Sequence, residues 1–232
     1  LCIMRLRDLF FCSAICLMLA ACSKSDVDGG VMPPNGYMQI AISTAIESSS
    51  AKQKFDAGDC IGLYAVNYNG DVTVGISSKG NQADNVKYSH AGGKWASTSP
   101  AYYRDENTPV KLIAYYPYME SIGSITSQKF SLTDKESQAL YIMWGERDKV
   151  SATKSPVEIR MKPLMAYIEL TIKRGAGWSD NEWKSAEKSV KLCNTLIDAE
   201  FNVAMGKVKA TGEPKEVDIS ASGDCFTSVA IP

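Results

Sequence analysis

The chain has 232 residues, 25 of them basic and 26 acidic, so a net charge of −1 leaves no basic surface for nucleic acid and no acidic tract for bulk calcium. At 45% hydrophobic residues it can fill one large or two modest cores, while a single histidine leaves little for histidine-based catalysis or zinc binding.

Arg5 and Arg7 open a basic lead, Leu9 to Ala21 form an apolar core, and Leu19-Ala20-Ala21 sets small residues directly before Cys22. An apolar run of about 13 residues is too short to span a hydrocarbon layer that needs roughly 20 in a helix, so residues 1–21 read as a cleaved export signal. The pattern is similar to a bacterial lipobox, which implies lipidation of Cys22 and anchoring of the mature chain to a membrane by more than one acyl chain. Leu1 to Ile3 precede a start at Met4 and read as upstream read-through. Residues 22–36, with Gly29, Gly30, Pro33 and Pro34, are too polar to build a core and read as a tether.

From Tyr37 the pattern changes to short apolar runs divided by turn residues. Met38, Ile40 and Ile42 alternate with Gln39, Ala41 and Ser43, the period of a half-buried strand, and the pattern runs on to Ile46. Glu47 to Ala51 is a polar loop, followed by Lys52 and Lys54 just before Phe55. Further strands are expected at Cys60 to Val66, Asn85 to Ser89, Val110 to Tyr118, Lys129 to Leu132, Ala139 to Met143 and Val157 to Met161. Asn69-Gly70-Asp71, Ala91-Gly92-Gly93 and Gly145 to Asp148 supply punctuation, and Glu146-Arg147-Asp148-Lys149 reads as a solvated turn. Gly58-Asp59 suits a tight turn in which Asp59 accepts from nearby amides, and Gly62 allows close packing or a bulge.

Lys162-Pro163 separates two strong strand patterns and is the expected boundary between a domain at residues 37–163 and another at 164–232, because proline cannot donate to a central ladder. Beyond it, strands are expected at Leu164 to Lys173, Ser189 to Asn194, Glu200 to Lys209, Glu216 to Ser220 and Cys225 to Ile231, with a weak helical stretch near Trp178 to Glu187. The chain is therefore all-β. Its last pattern ends at Pro232 with too few strands to cover an opposing sheet, so the second domain reads as incomplete.

Of the seven cysteines, Cys2, Cys12 and Cys16 precede the cleavage point and Cys22 is the lipidation candidate. Cys60 reads as a small buried hydrophobe, and Cys193 and Cys225 either pair or stay as free buried thiols. His90, beside Gly92 and Gly93, reads as a hairpin residue; Asp56 and Asp59 lack the further carboxylates of a calcium loop. Trp95, Trp144, Trp178 and Trp183 admit a second reading, a carbohydrate-binding surface lipoprotein whose tryptophans stack on sugar. No nucleophile, base and metal set points to an enzyme, and no cofactor is implied.

Three segments together resemble the Bacteroidales fimbrillin family: Phe55-Asp56-Ala57-Gly58-Asp59-Cys60-Ile61-Gly62-Leu63-Tyr64-Ala65, Lys111-Leu112-Ile113-Ala114-Tyr115-Tyr116-Pro117-Tyr118, and Lys162-Pro163-Leu164-Met165-Ala166-Tyr167-Ile168-Glu169-Leu170. The resemblance implies two transthyretin-like β-sandwich domains in tandem, outer-membrane lipoprotein export, and assembly with other fimbrial subunits by β-strand addition at the cell surface. It also implies cleavage by an Arg- or Lys-specific protease, for which Lys52 and Lys54 are the candidates. The removable strand would then carry Met38, Ile40 and Ile42, and a surface receptor or glycan would be the adhesive target.

Overall fold

The computed structural model describes residues 37–47, 52–70, 72–73, 75–132 and 141–232; the leader, Cys22 and the tether lie outside them. The strands in chain order are β1 (Ile42–Ile46), β2 (Cys60–Asn69), β3 (Val72–Thr73), β4 (Ala83–Ala91), β5 (Lys94–Ala96), β6 (Val110–Tyr116), β7 (Gln128–Ser131) and β8 (Met143–Val150). They continue as β9 (Val157–Pro163), β10 (Ala166–Thr171), β11 (Lys191–Thr195), β12 (Asp198–Asn202), β13 (Lys207–Thr211), β14 (Lys215–Asp218), β15 (Ser220–Ser222) and β16 (Cys225–Ala230). One short helix is found among the described residues, α1 (Asp180–Ser185), in the stretch expected to be weakly helical. It is started by a capping box, in which Ser179 and Glu182 each satisfy the other's backbone amide.

The main sheet runs β1-β9-β8-β6-β2-β4-β5, with β3 paired to β2. Strict alternation in its central strands gives it two apolar faces. On one face Ile61, Leu63 and Ala65 of β2 and Val110, Leu112 and Ala114 of β6 meet Ile159 and Met161 of β9 in a single cluster. On the other, Tyr64, Ile113, Tyr115 and Trp144 are covered by Ile197, Phe201 and Val203. Each of these large side chains contributes roughly 1.5–3 kcal/mol by leaving water.

The covering layer draws on both halves of the sequence. β7, which precedes Lys162-Pro163, pairs antiparallel with β12, which follows it. Trp144 in β8 donates its indole N–H to the Val203 carbonyl at 2.7 Å. Pro163 itself ends β9 opposite Met143, and the next amide, of Leu164, donates to the Ile142 carbonyl at 2.8 Å. The remaining strands form a β10-β16-β15 sheet and a β11-β14 pair, from which Val229 and Val217 also pack on these clusters.

Several local expectations need correcting. Gly145 to Asp148 is not punctuation and the charged run at Glu146 to Lys149 is not a turn: all of it lies within β8. The run stays solvated because its side chains point outward, where Lys111 bridges Glu146 at 2.7 Å and Asp148 at 3.3 Å. A register shift against β6 places an extra residue here, and Lys149 takes a φ of 48°. Of the strand expected at Ala139 to Met143, Tyr141 and Ile142 precede the ladder, which begins at Met143, and residues 133–140 lie outside the described ones. Glu200 to Lys209 is not one strand but the β12–β13 hairpin, turned at Gly206 with a φ of 61°. Cys60 is half-buried, not buried, and Cys193 is an exposed free thiol, since β11 lies in a two-stranded sheet with little covering it.

Candidate functional site: the seat of the first strand

The expected exchangeable segment has a defined seat. Its core-facing row is Met38, Ile40, Ile42, Thr44 and Ile46, two residues apart as a strand requires. Ile40 is 0% and Ile42 4% exposed, and Met38 and Ile46 pack half-buried on the same core. β1 is an edge strand of the main sheet and pairs parallel with β9 alone, Ile42 opposite Val157 through Ile46 opposite Met161.

The backbone of the segment changes partner half-way along. Ahead of β1 it runs antiparallel to residues 101–103: Ile40 N–H donates to the Ala101 carbonyl at 2.8 Å and Tyr103 N–H to the Met38 carbonyl at 2.9 Å. From Ala41 it turns to β9, with Val157 N–H donating to the Ala41 carbonyl at 2.9 Å and Glu47 N–H to the Met161 carbonyl at 3.0 Å. The buried Tyr88 hydroxyl donates to the Ile40 carbonyl at 2.8 Å and accepts from Ala101 N–H at 3.2 Å, so it ties the segment to its neighbour at the crossover. Burial pushes the Tyr88 phenol up to about 12, which keeps it a donor at physiological pH. The segment thus bridges residues 101–103 and β9, with Ile40 and Ile42 packed into the core beside them.

Its far end is held by ions. Lys52 Nζ lies 2.9 Å from Asp59 and 3.1 Å from Asp56 and sits 5.6 Å from the centre of the Tyr116 ring. Tyr116 donates its hydroxyl to Asp59 at 2.9 Å, and Asp56 N–H donates to Asp59 at 2.7 Å. Burial works against the Asp59 charge, yet Lys52, the Asp56 amide and Tyr116 outweigh it and hold the carboxyl below its ordinary range. Burial likewise opposes the Lys52 charge and is outweighed by Asp59 and Asp56, so its ammonium is held above the ordinary lysine value. Gly58, at a φ of 93°, makes the turn that brings these groups together, as the Gly-Asp pair suggested. Lys54 is exposed, whereas Phe55 is buried against Trp95, edge-on at 5.0 Å, and against Tyr116 at 5.4 Å.

The four tryptophans do not share a platform. Trp144 is buried, and half-buried Trp95 lies among Phe55 and His90 with its indole N–H donating to Thr44 at 2.9 Å. Trp178 and Trp183 stack edge-on at 5.9 Å, where Trp183 donates to Asp224 at 2.8 Å. Among the described residues no group of His, Cys, Asp or Glu is placed to hold a metal. The structure seats Met38, Ile40 and Ile42 on the core, pairs Lys52 with Asp56 and Asp59 and leaves Lys54 exposed; sequence reasoning did not single out Thr44, Tyr88 or Ala101, and it named Trp95 for sugar stacking, not for its bond to Thr44. Two signals were available: Thr44, a hydroxyl in an otherwise aliphatic row, and an indole N–H that needs an acceptor.

The fold is similar to that of several solved structures. The chain superposes on a candidate cell adhesion protein from Bacteroides uniformis ATCC 8492 with a TM-score of 0.66 at 23% identity, covering 86% of this chain and 76% of that one. A candidate cell adhesion protein from Bacteroides ovatus ATCC 8483 gives 0.63 at 20% identity, covering 84% and 78%. A fimbrial protein from Bacteroides vulgatus ATCC 8482 gives 0.50 at 10% identity, covering 84% and 77%. At these identities the likeness is one of fold. No curated protein matches the sequence significantly. A family model described as fimbrillin-like matches residues 47–232, most of the chain, and the protein therefore belongs to the fimbrillin-like family.

Proposed function

We propose that this chain is a structural or adhesive subunit of cell-surface fimbriae, exported as an outer-membrane lipoprotein through Cys22 and assembled by strand complementation. Cleavage after Lys52 or Lys54 frees the segment that carries Met38, Ile40 and Ile42, and a strand from a neighbouring subunit takes its place. The division expected near Lys162-Pro163 belongs to the same reading, with β7 crossing it to pair with β12. The family is structural rather than catalytic, in keeping with assembly as the activity.

The observation that carries the reading is the burial of Ile40 and Ile42 in a segment that lies at a sheet edge and is joined to the body through a lysine-bearing stretch. Its departure would uncover apolar core and strand edge together, and an incoming extended segment repairs both defects at once. An uncut subunit has its seat filled, which makes cleavage the assembly switch.

A disulfide between Ser43→Cys and Glu158→Cys, which are register partners, would lock β1 to β9. The locked subunit is expected to be cut normally yet to stay out of fibres until it is reduced. Fibre formation by the oxidised variant at the unlocked rate would contradict strand exchange.

A further inference from the structure

Given the exchangeable strand proposed above, on which this rests, we propose that Trp95 sets the register of whatever strand fills the seat. The seat would then select an extended segment of aliphatic-x-aliphatic-x-hydroxyl-x-aliphatic pattern. Met38, Ile40, Ile42 and Ile46 place only apolar side chains toward the core, and apolar rows alone tolerate a slip of two residues. Thr44 is the single polar group in the row, and Trp95 Nε1–H donates to its Oγ1 at 2.9 Å. A two-residue slip puts Ile42 or Ile46 opposite that N–H and leaves a half-buried donor without an acceptor.

Three features keep Trp95 in place to perform this reading. β5 is the terminal strand of the main sheet, so Trp95 stands across the seat from β9 without touching the ladder that β9 offers. His90 is its register partner on β4, and their rings lie 4.9 Å apart. Phe55 meets the indole edge-on at 5.0 Å, so the ring is wedged between two aromatic neighbours with its N–H aimed at the seat. The backbone demands add direction: the incoming strand must run antiparallel to residues 101–103 and then parallel to β9, with a carbonyl where the Tyr88 hydroxyl now meets that of Ile40. The partner is accordingly an extended segment of another subunit with no charge in its core-facing row, defined by direction and by one hydroxyl at a fixed place.

The test uses the full chain with a site-specific protease sequence inserted between Ser49 and Ser50, so that cutting does not depend on Lys52 or Lys54. A fluorescent synthetic peptide of residues 37–47 is then followed by anisotropy. Cut protein is expected to take up the peptide and uncut protein to refuse it. The Thr44→Val peptide should bind about tenfold more weakly, the factor that one unsatisfied N–H produces, while the Thr44→Ser peptide should bind nearly as well as the parent. In a Trp95→Phe body the preference for Thr over Val should disappear.

Equal binding of the Val and Thr peptides, or a preference that survives Trp95→Phe, overturns the proposal. So does a Trp95→Phe, Thr44→Val double-mutant cycle in the uncut chain that shows no coupling. Failure of the cut chain to take up any peptide overturns it too, together with strand exchange. If discrimination is seen but the protein on cells keeps its first segment, the assembly reading fails while the selectivity of the seat stands.

Discussion

At Gly62 the backbone of β2 runs against the face of Tyr115, and a Cβ there would lie 2.2 Å from a Tyr115 ring carbon. Tyr115 cannot retreat: it is fully buried, its hydroxyl donates to Asn85 at 2.6 Å, and Asn85 stands in the register shift between β4 and β2 at a φ of 45°. Gly62→Ala should therefore lower stability by about 1–3 kcal/mol, read as a drop in the urea midpoint with an unchanged slope. The Lys52–Asp59 pair makes a second prediction. Asp59, held below its ordinary 3.8, stabilises the folded chain above that value, and the contribution is lost as pH falls through the depressed folded value. Lys52, held above its ordinary 10.5, contributes below that value and loses the contribution as pH rises through the raised one. The pair is therefore intact across neutral pH, and Lys52→Gln should raise the Asp59 pKa toward 3.8 in a carboxyl NMR titration. An Asp59 titration unmoved by Lys52→Gln would deny the pairing. Gly58 and Asp59 were legible in the sequence because turn chemistry is local, and Gly62 was legible only as a glycine inside a strand pattern, its partner Tyr115 lying on β6. Trp95 and Tyr88 were not, since their partners lie 51 and 48 residues away.

Among the elements, the first segment is the one whose stability contribution bears on the proposed assembly. Ile42→Ala deletes buried carbon beside Ile40 and should destabilise the uncut chain by about 2–4 kcal/mol, whereas Ser43→Ala, on the opposite side of the same strand, should change little. Comparable losses from both would mean that the segment packs without a preferred face. Alternation made Met38, Ile40 and Ile42 readable as a strand face, because a period of two needs no knowledge of the partner. The partner was not readable: β1 pairs in parallel with β9, and the two strands are more than 100 residues apart in the chain, a separation that no local pattern encodes. The charged stretch of β8 looked like a turn for a related reason. Its hydrogen bonds go to β6, its side chains go to water, and polarity alone does not separate an exposed strand from a loop.

For the molecule as a whole, composition and strand spacing sufficed for the all-β class, and the three motif segments sufficed for the family. The layering escaped them, because β7 joins β12 across Lys162-Pro163 and the outward face of the main sheet is covered by residues 197–203. Ile40 and Ile42 belong to the cluster on the opposite face from Phe201 and Val203, so under the proposed assembly the segment would leave without unpacking the second layer. The central claim is that this segment is a removable plug, and it is tested most directly by the mass and N-terminal sequence of the protein recovered from assembled fibres. A chain that begins at Gln53 or Phe55 is the predicted result. A chain that still begins at a lipid-bearing Cys22, with residues 37–47 attached, would contradict it.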